Sequence, residues 1–157
     1  MKATTMLRQQ HREVRKLFGD VKKTFNGDER RTILAAIEEK LRGHMMVEQH
    51  IFYPAVAGRV TPRPEAHHAV QIVLDELLDV DPDDERFEAK MTVLEEIIQR
   101  HVEEDENVVF PAADRRLGDE ALAELAERMQ AALDGAESAP EMSAAPAPLV
   151  QARAKSR

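Results

Sequence analysis

One segment of this sequence occurs twice, and the two copies lie 57 residues apart. In each copy, apolar residues, a histidine and an acid follow one another at steps of three or four, and a proline ends the series. The first copy consists of Leu34, Ile37, Leu41, His44, Glu48, Ile51 and Pro54, and the second consists of Met91, Leu94, Ile98, His101, Asp105, Val108 and Pro111. Such steps keep side chains on one face of an α-helix. The repeat therefore predicts two matching helices, each with a histidine and an acid on its apolar face.

A carboxylate on a buried helix face needs a partner, because an unpaired buried carboxylate costs several kcal/mol. His11 and His67 also fall on apolar faces, those of two further predicted helices. Together the candidate ligands are His11, His44, Glu48, His67, His101 and Asp105. Four imidazoles and two carboxylates make a nitrogen and oxygen site, which suits iron or manganese and can also take zinc. We therefore predict a shared metal centre.

Two alternatives bear on this set. A single histidine on an apolar helix face is more often a hydrogen-bonded core residue than a metal ligand. Glu106 is an alternative to Asp105 as the last carboxylate, because a local bulge in the helix would turn it inward. We favour Asp105, which holds the position that Glu48 holds in the first copy. His50 and His68 lie off the apolar faces and are predicted to be surface residues.

The helical pattern predicts an all-α, up-down-up-down four-helix bundle with internally duplicated helix pairs. A short C-terminal helix follows Gly118 and is expected to end at Gly135. The predicted helices cover residues 5–25, 28–53, 64–78, 85–114 and 119–133. One domain, residues 1–135, is expected to contain all of them. The remainder, residues 136–157, is rich in Ala and Pro and is predicted to be a disordered tail.

The composition limits the classes of function. A net charge of −8 argues against a general nucleic-acid or anionic-membrane binder. The chain has no Cys, so disulfides, thiolate zinc sites and iron–sulfur clusters are excluded. It has neither a signal-peptide apolar region nor a run of 18 apolar residues, so we expect a soluble cytoplasmic protein. The sequence leaves the oligomeric state open, and a monomer is compatible with it.

The motifs resemble those of the hemerythrin-like proteins with the HHE cation-binding domain, over about residues 4–117. The matching motifs are Gln10-His11-Arg12, His44-x3-Glu48-Gln49-x2-Phe52-Tyr53-Pro54, Glu65-Ala66-His67-His68 and His101-x3-Asp105-Glu106-x2-Val109-Phe110-Pro111. The resemblance implies a non-haem di-iron centre, with a bridging oxo or hydroxo group and two carboxylate bridges. Oxygen-carrying members place the last carboxylate five residues after its histidine, which would select Glu106. The broader bacterial group uses a His-x3-acid pair on both helices, which selects Asp105.

The resemblance also bears on the reaction. Oxygen carriers have a fifth histidine four residues after the one on the third helix, where this chain has Gln71. Its absence leaves about two of the twelve positions around two octahedral irons open. We therefore expect reaction with a small oxidant (dioxygen, hydrogen peroxide or nitric oxide) rather than reversible dioxygen storage. A metal-binding, iron-storage or sensing module without turnover is the alternative, and whether the chain is an enzyme stays open. In either case, metal removal is expected to lower the melting temperature, increasingly towards pH 5.

Overall fold

The computed structural model describes residues 1–58 and 64–138, and every regular element in this part of the chain is helical. The helices are α1 (Ala3–Val21), α2 (Gly27–Val47), α3 (Tyr53–Val56), α4 (Pro64–Leu78), α5 (Glu85–Glu104) and α6 (Phe110–Ser138). A π-helical segment, Glu48–Phe52, joins α2 to α3, and a second, Asp105–Val109, joins α5 to α6. The predicted four-helix bundle is confirmed, with α1 packed on α2 and α4 packed on α5.

The connection between α1 and α2 differs from the prediction. Helix α1 ends at Val21 and not near Phe25, whose side chain is 83% exposed. Helix α2 is capped by Asn26, whose side chain accepts a hydrogen bond from the backbone N–H of Glu29. Asn26 therefore caps the start of α2 one residue after Phe25. Phe25 lies in the connection between the two helices and not on the apolar face of α1.

Arg30 joins the two connections at this end of the bundle. Its guanidinium group donates to the backbone oxygens of Thr24 and Pro82 at 3.0 and 2.9 Å, and to Glu88 Oε1 at 2.7 Å. A buried charge needs such partners, and Arg30 is buried. Sequence patterning did not identify this residue, because its partners lie in three separate segments.

The core consists of two apolar clusters. One contains residues from Val14 to Val102 in α1, α2, α4 and α5, whereas the other joins the start of α1 to α3 and α6. The titratable residues lie between them, since His11 follows Leu7 of the second cluster and precedes Val14 of the first. The candidate site is therefore a polar layer inside an apolar bundle.

The C-terminal helix covers the second cluster. Helix α6 is interrupted at Gly118, whose φ of 75° and ψ of 171° are non-helical, and Leu122, Leu125 and Met129 beyond it are buried. The predicted end at Gly135 is wrong, because the helix continues to Ser138. Gly135 does not take the positive φ with which a glycine ends a helix. Most of the predicted tail, residues 139–157, lies outside the described residues, as do residues 59–63 before α4.

In the described part of the chain, each helix is too short or too polar to cross a membrane.

Candidate metal centre

Both acids of the repeat stand at the start of a π-helical segment. The backbone N–H of Tyr53 donates a hydrogen bond to the backbone carbonyl oxygen of Glu48. The backbone N–H of Phe110 donates to that of Asp105 in the same way. Bonding over five residues, rather than four, inserts one residue into the helix and turns the following side chains. Phe52 and Val109 are consequently buried. The predicted inward residues Ile51 and Val108 are displaced: Ile51 is half-buried and Val108 is 54% exposed.

The four histidines of the apolar faces are buried and form two pairs. The first pair, His11 of α1 and His44 of α2, has its two Nε2 atoms 3.3 Å apart. The second pair, His67 of α4 and His101 of α5, shows the same 3.3 Å separation. Two nitrogens bound at right angles to one ion at about 2.1 Å would lie about 3.0 Å apart. Each pair therefore has nearly the spacing that one shared metal ion requires.

The two acids connect these pairs. Glu48 Oε2 lies 3.3 Å from the Nε2 atoms of His44, His67 and His101, so it contacts both pairs. Asp105 Oδ2 lies 3.1 Å from His101 Nε2 and 3.8 Å from His11 Nε2. Ligand atoms of His11, His44, Glu48, His101 and Asp105 all lie within 4.8 Å of one another. The structure thus brings all six predicted residues together, with Glu48 at the centre.

The unpaired atoms of this cluster fit a cation. Glu48 Oε1 and Asp105 Oδ2 are buried oxygen atoms without a hydrogen-bond partner. Such atoms are rare in proteins, because leaving a buried acceptor unpaired costs about 1–3 kcal/mol. Positive metal ions would compensate both oxygens, so the donor set fits the metal centre that the sequence predicts.

The two carboxyl groups have opposite pKa shifts. Burial raises the pKa of Glu48, but its contacts with His44, His101 and His67 outweigh burial and hold that pKa well below its ordinary value. Burial, together with the charge of Glu48, raises the pKa of Asp105 to about 8. At neutral pH the metal-free cluster therefore holds a proton on Asp105. Two ionised carboxylates require an added cation.

The pKa values of the buried histidines also depend on the balance between burial and neighbouring charges. Burial and the neighbouring His44 lower the pKa of His11 to about 2. Burial also lowers the pKa of His67, and its contact with Glu48 only partly offsets this. His101 differs: burial lowers its pKa, but Glu48 and Asp105 outweigh burial and leave it above the ordinary value. Neutral imidazoles are the form that binds metal, and burial favours that form at His11 and His67.

Tyr53 is a member of the site that sequence reasoning missed. Its hydroxyl lies 2.9 Å from Glu48 Oε2 and 3.2 Å from Asp105 Oδ1. Burial and the two carboxylates raise the pKa of this phenol, so it stays protonated and can donate to either acid. The signal was its place in the repeat, where the second copy has Phe110. The rings correspond too: Tyr53 stacks on His67 at 5.9 Å and Phe110 stacks on His11 at 5.6 Å between ring centroids.

Glu106 does not join the inner cluster, although the bulge that could turn it inward is present. Its side chain is 28% exposed, and its Oε1 accepts a hydrogen bond from His11 Nδ1 at 3.0 Å. That nitrogen is the one that faces away from His44. Glu106 therefore holds the outer side of an imidazole, whereas Asp105 occupies the inner layer.

The remaining polar residues considered from sequence lie further out. Gln71 is half-buried, and its Nε2 donates to Asp75 Oδ1 at 2.8 Å on the surface, while Val70 and Leu74 occupy the inward positions. Gln71, which stands where oxygen carriers have a fifth histidine, therefore does not lie at the depth of the histidine pairs. His50 and His68 are exposed, as predicted, and line a cleft beside His67.

A small cavity lies against the histidines on the side opposite the carboxylates. Its volume is about 10 Å³, and its lining includes the four histidines and Gln10, which present only apolar atoms to it. The rest of the lining is aliphatic or thioether, from Val14 on α1 to Val102 on α5. This volume corresponds to about one water molecule. The cavity is therefore an apolar space beside the histidine layer with room for one very small molecule.

Comparisons with known proteins agree with this geometry. The family model "Hemerythrin HHE cation binding domain" matches residues 2–113. A crystal structure of a hemerythrin HHE cation binding domain-containing protein from Mycobacterium kansasii is similar, with a TM-score of 0.76 and 23% sequence identity over 86% of each chain. At this identity the likeness shows the shared fold alone. A search of curated proteins gave no significant match.

Proposed function

Because the chain belongs to the hemerythrin HHE cation-binding domain family, its domain binds metal, and we propose that it holds two non-haem iron ions and reacts with a small oxidant. The oxidant would be dioxygen, hydrogen peroxide or nitric oxide. The observation that carries the proposal is a layer of four imidazoles and two carboxylates, with orphaned oxygens, beside a cavity of about 10 Å³.

The proposed ligands are His11, His44, Glu48, His67, His101 and Asp105, and a bridging oxo or hydroxo group would complete the centre. Each histidine pair would hold one ion through its converging Nε2 atoms. Glu48 would serve both ions, since its Oε2 already contacts both pairs. Imidazole and carboxylate donors suit iron and manganese better than soft metals, and the chain has no Cys to bind the latter.

The protein's own groups prepare the site for a small oxidant. Bound iron would supply the electrons that reduce it. The apolar wall of the cavity keeps bulk water and larger molecules away from the imidazoles. On the opposite side, the Tyr53 hydroxyl keeps a proton between Glu48 and Asp105. A hydrogen-bond donor and a restricted cavity on opposite sides of one metal layer favour chemistry on a very small molecule, such as dioxygen, hydrogen peroxide or nitric oxide.

The test combines metal analysis with spectroscopy. We expect anaerobically purified protein to contain about two iron ions per chain, as in other di-iron bundles. Its optical spectrum should change on addition of dioxygen, hydrogen peroxide or nitric oxide. His101→Ala, which removes one proposed ligand, should lower both the iron content and this change. His50→Ala, which removes an exposed imidazole, is the matched control and should alter neither.

The outcomes separate the alternatives. Bound iron whose spectrum changes with one oxidant, and which returns to its initial state over repeated additions, would support a reactive di-iron protein. Iron that is bound but unreactive towards all three oxidants would favour a storage or sensing module. Manganese or zinc in place of iron after growth with all three metals would overturn the proposed cofactor. Full iron content in His101→Ala would overturn the proposed ligand set.

A further inference from the structure

The two histidine pairs have the same inner spacing but different outer contacts. In the first pair, His11 Nδ1 contacts Glu106 Oε1 at 3.0 Å and His44 Nδ1 contacts Gln10 Oε1 at 2.9 Å. In the second pair, His67 Nδ1 is buried without a hydrogen-bond partner. The duplication explains the difference: the counterparts of Glu106 and Gln10 are Gln49 and Ala66.

These outer contacts fix the protonation of the first pair. A carboxylate oxygen or an amide oxygen can only accept, so the Nδ1 atoms of His11 and His44 carry the protons. The Nε2 atoms, which converge at 3.3 Å, are then left with free lone pairs. No hydrogen bond at Nδ1 selects the tautomer of His67, whose ring is stacked on Tyr53 instead. The first pair is thus already in the form and orientation that bind a metal ion.

Glu106 orients the His11 ring and also places a negative charge beside it. A carboxylate that accepts from the outer nitrogen of a metal-bound histidine raises the basicity of the inner nitrogen. Arg15 lies 3.9 Å from the same Glu106 oxygen, but its side chain is 48% exposed, so solvent screens its opposing charge. At the corresponding place beside the second pair, Gln49 is exposed and brings no charge.

The inner carboxylates do not favour the first pair. Glu48 contacts both pairs, and Asp105 is closer to His101 than to His11. Any difference in metal affinity in favour of His11 and His44 must therefore come from the outer contacts. The second pair also lies close to the protein surface, since His67 lines both the inner cavity and the surface cleft.

We infer that the two metal positions are unequal: the His11–His44 position binds first and retains its ion, and the His67–His101 position holds the exchangeable one. Glu106 and Gln10 are the positioning residues that create the difference. The inference rests on the proposed two-metal centre. Losing such an outer partner typically weakens metal binding by about 10–100-fold, which sets the expected size of the effect.

The experiment is an anaerobic titration of the metal-free full-length protein with Co²⁺, whose visible absorption reports each bound ion. We expect two resolved steps, with the first at least about tenfold tighter. Glu106→Gln and Gln10→Leu should each weaken the tight step by about 10–100-fold, so that the two steps merge. Gln49→Ala, at the place equivalent to Glu106, is the matched control and should leave both steps unchanged. Far-ultraviolet circular dichroism of each metal-free variant checks that the helices are retained.

The results distinguish this inference from the proposed function. Two ions that bind in one indistinguishable step to the parent protein would overturn the inequality and leave the two-metal centre intact. An unchanged tight step in folded Glu106→Gln, or a loss confined to the weak step, would overturn the role of Glu106. If neither the parent nor any variant binds Co²⁺, the proposed metal centre fails, and the inference fails with it.

Discussion

The two halves of the duplicated bundle have the same inner residues and different surroundings. Each contributes one lone histidine, one His-x3-acid pair and one aromatic ring that stacks on the lone histidine of the other half. Around His11 and His44 the outer groups are Glu106 and Gln10, which fix both imidazoles. Around His67 and His101 the polar addition is the Tyr53 hydroxyl, which contacts the carboxylates instead.

In a symmetric site both histidine pairs would have the same outer contacts, whereas here the contacts of the two pairs differ. The contacts around His11 and His44 order two metal-binding nitrogens, whereas Tyr53, which stacks on His67, donates hydrogen bonds to the acids, and His67 lies at the edge of a surface cleft. Both halves have the same helical period, and they differ at single positions such as Tyr53 and its counterpart Phe110. Two ions in this site would consequently have different environments.

We expect the largest effect on metal content from a change in Glu48, the carboxylate that contacts both histidine pairs. Glu48→Gln should reduce the metal content to less than about a tenth of the parent's, because losing a ligand costs more than the 10–100-fold of an outer partner. Asp105→Asn should retain about one ion, since His101 is the one histidine of the described residues that lies within 3.1 Å of Asp105. Elemental analysis of protein purified without chelator measures both. Equal metal contents in the two variants would show that the acids are equivalent.

The next effect concerns pH. Sequence reasoning expects the melting difference between metal-bound and metal-free protein to widen towards pH 5, but the pKa shifts reverse that sign. His11, with a pKa near 2, stays neutral in the metal-free fold. Histidines of the unfolded chain take up protons below about pH 6.5 and lower the stability of both forms alike, so this contribution cancels.

Asp105 decides the remaining difference. With a folded pKa of about 8, it holds a proton that the metal must displace at lower pH. Metal affinity should therefore fall by up to about tenfold per pH unit between pH 8 and pH 5. The melting difference should narrow over that range. Scanning calorimetry with and without metal at each pH measures it, and a difference that widens towards pH 5 would contradict the assignment.

A smaller effect tests the asymmetric hydroxyl. Tyr53→Phe makes the two halves alike at this position and removes the donor that serves Glu48 and Asp105. We expect the metal-free protein to lose about 2 kcal/mol of unfolding free energy, which corresponds to a melting temperature about 4–8 °C lower. The metal-bound protein should lose less, because the ions also compensate the carboxylates. Thermal unfolding of both forms measures this, and an equal loss in each would separate Tyr53 from the metal layer.

We expect the smallest effect on metal content and stability from removing the C-terminal residues, which belong to neither half. Truncation after Ser138 removes residues 139–157 and leaves the described helices whole. Metal content should be unchanged and the melting temperature should shift by no more than about 2 °C, since we expect a change that leaves these helices intact to stay within about 0.5 kcal/mol. Elemental analysis and thermal unfolding check this prediction. A large loss of either property would show that the tail contributes to the fold.

The sequence alone determined the helices and the inner layer. A period of three and four residues is a local property, so it placed His44 and Glu48, and equally His101 and Asp105, on apolar faces before any tertiary contact was known. The cost of burying their charges then required a common partner. For the same reason the bundle was predictable and the family could be named from its motifs.

Tertiary structure decided the register beyond the acids and the outer contacts. The π-helical segments break the local period, and they place Tyr53 at the carboxylates and Val108 in solvent. Glu106 meets His11 across 95 residues, and Gln10 meets His44 across 34. Such pairs depend on how separate helices dock, and helical periodicity carries no information about rotation and height between helices. Inner residues could therefore be assigned from spacing, whereas the groups that make the two halves unequal required the folded chain.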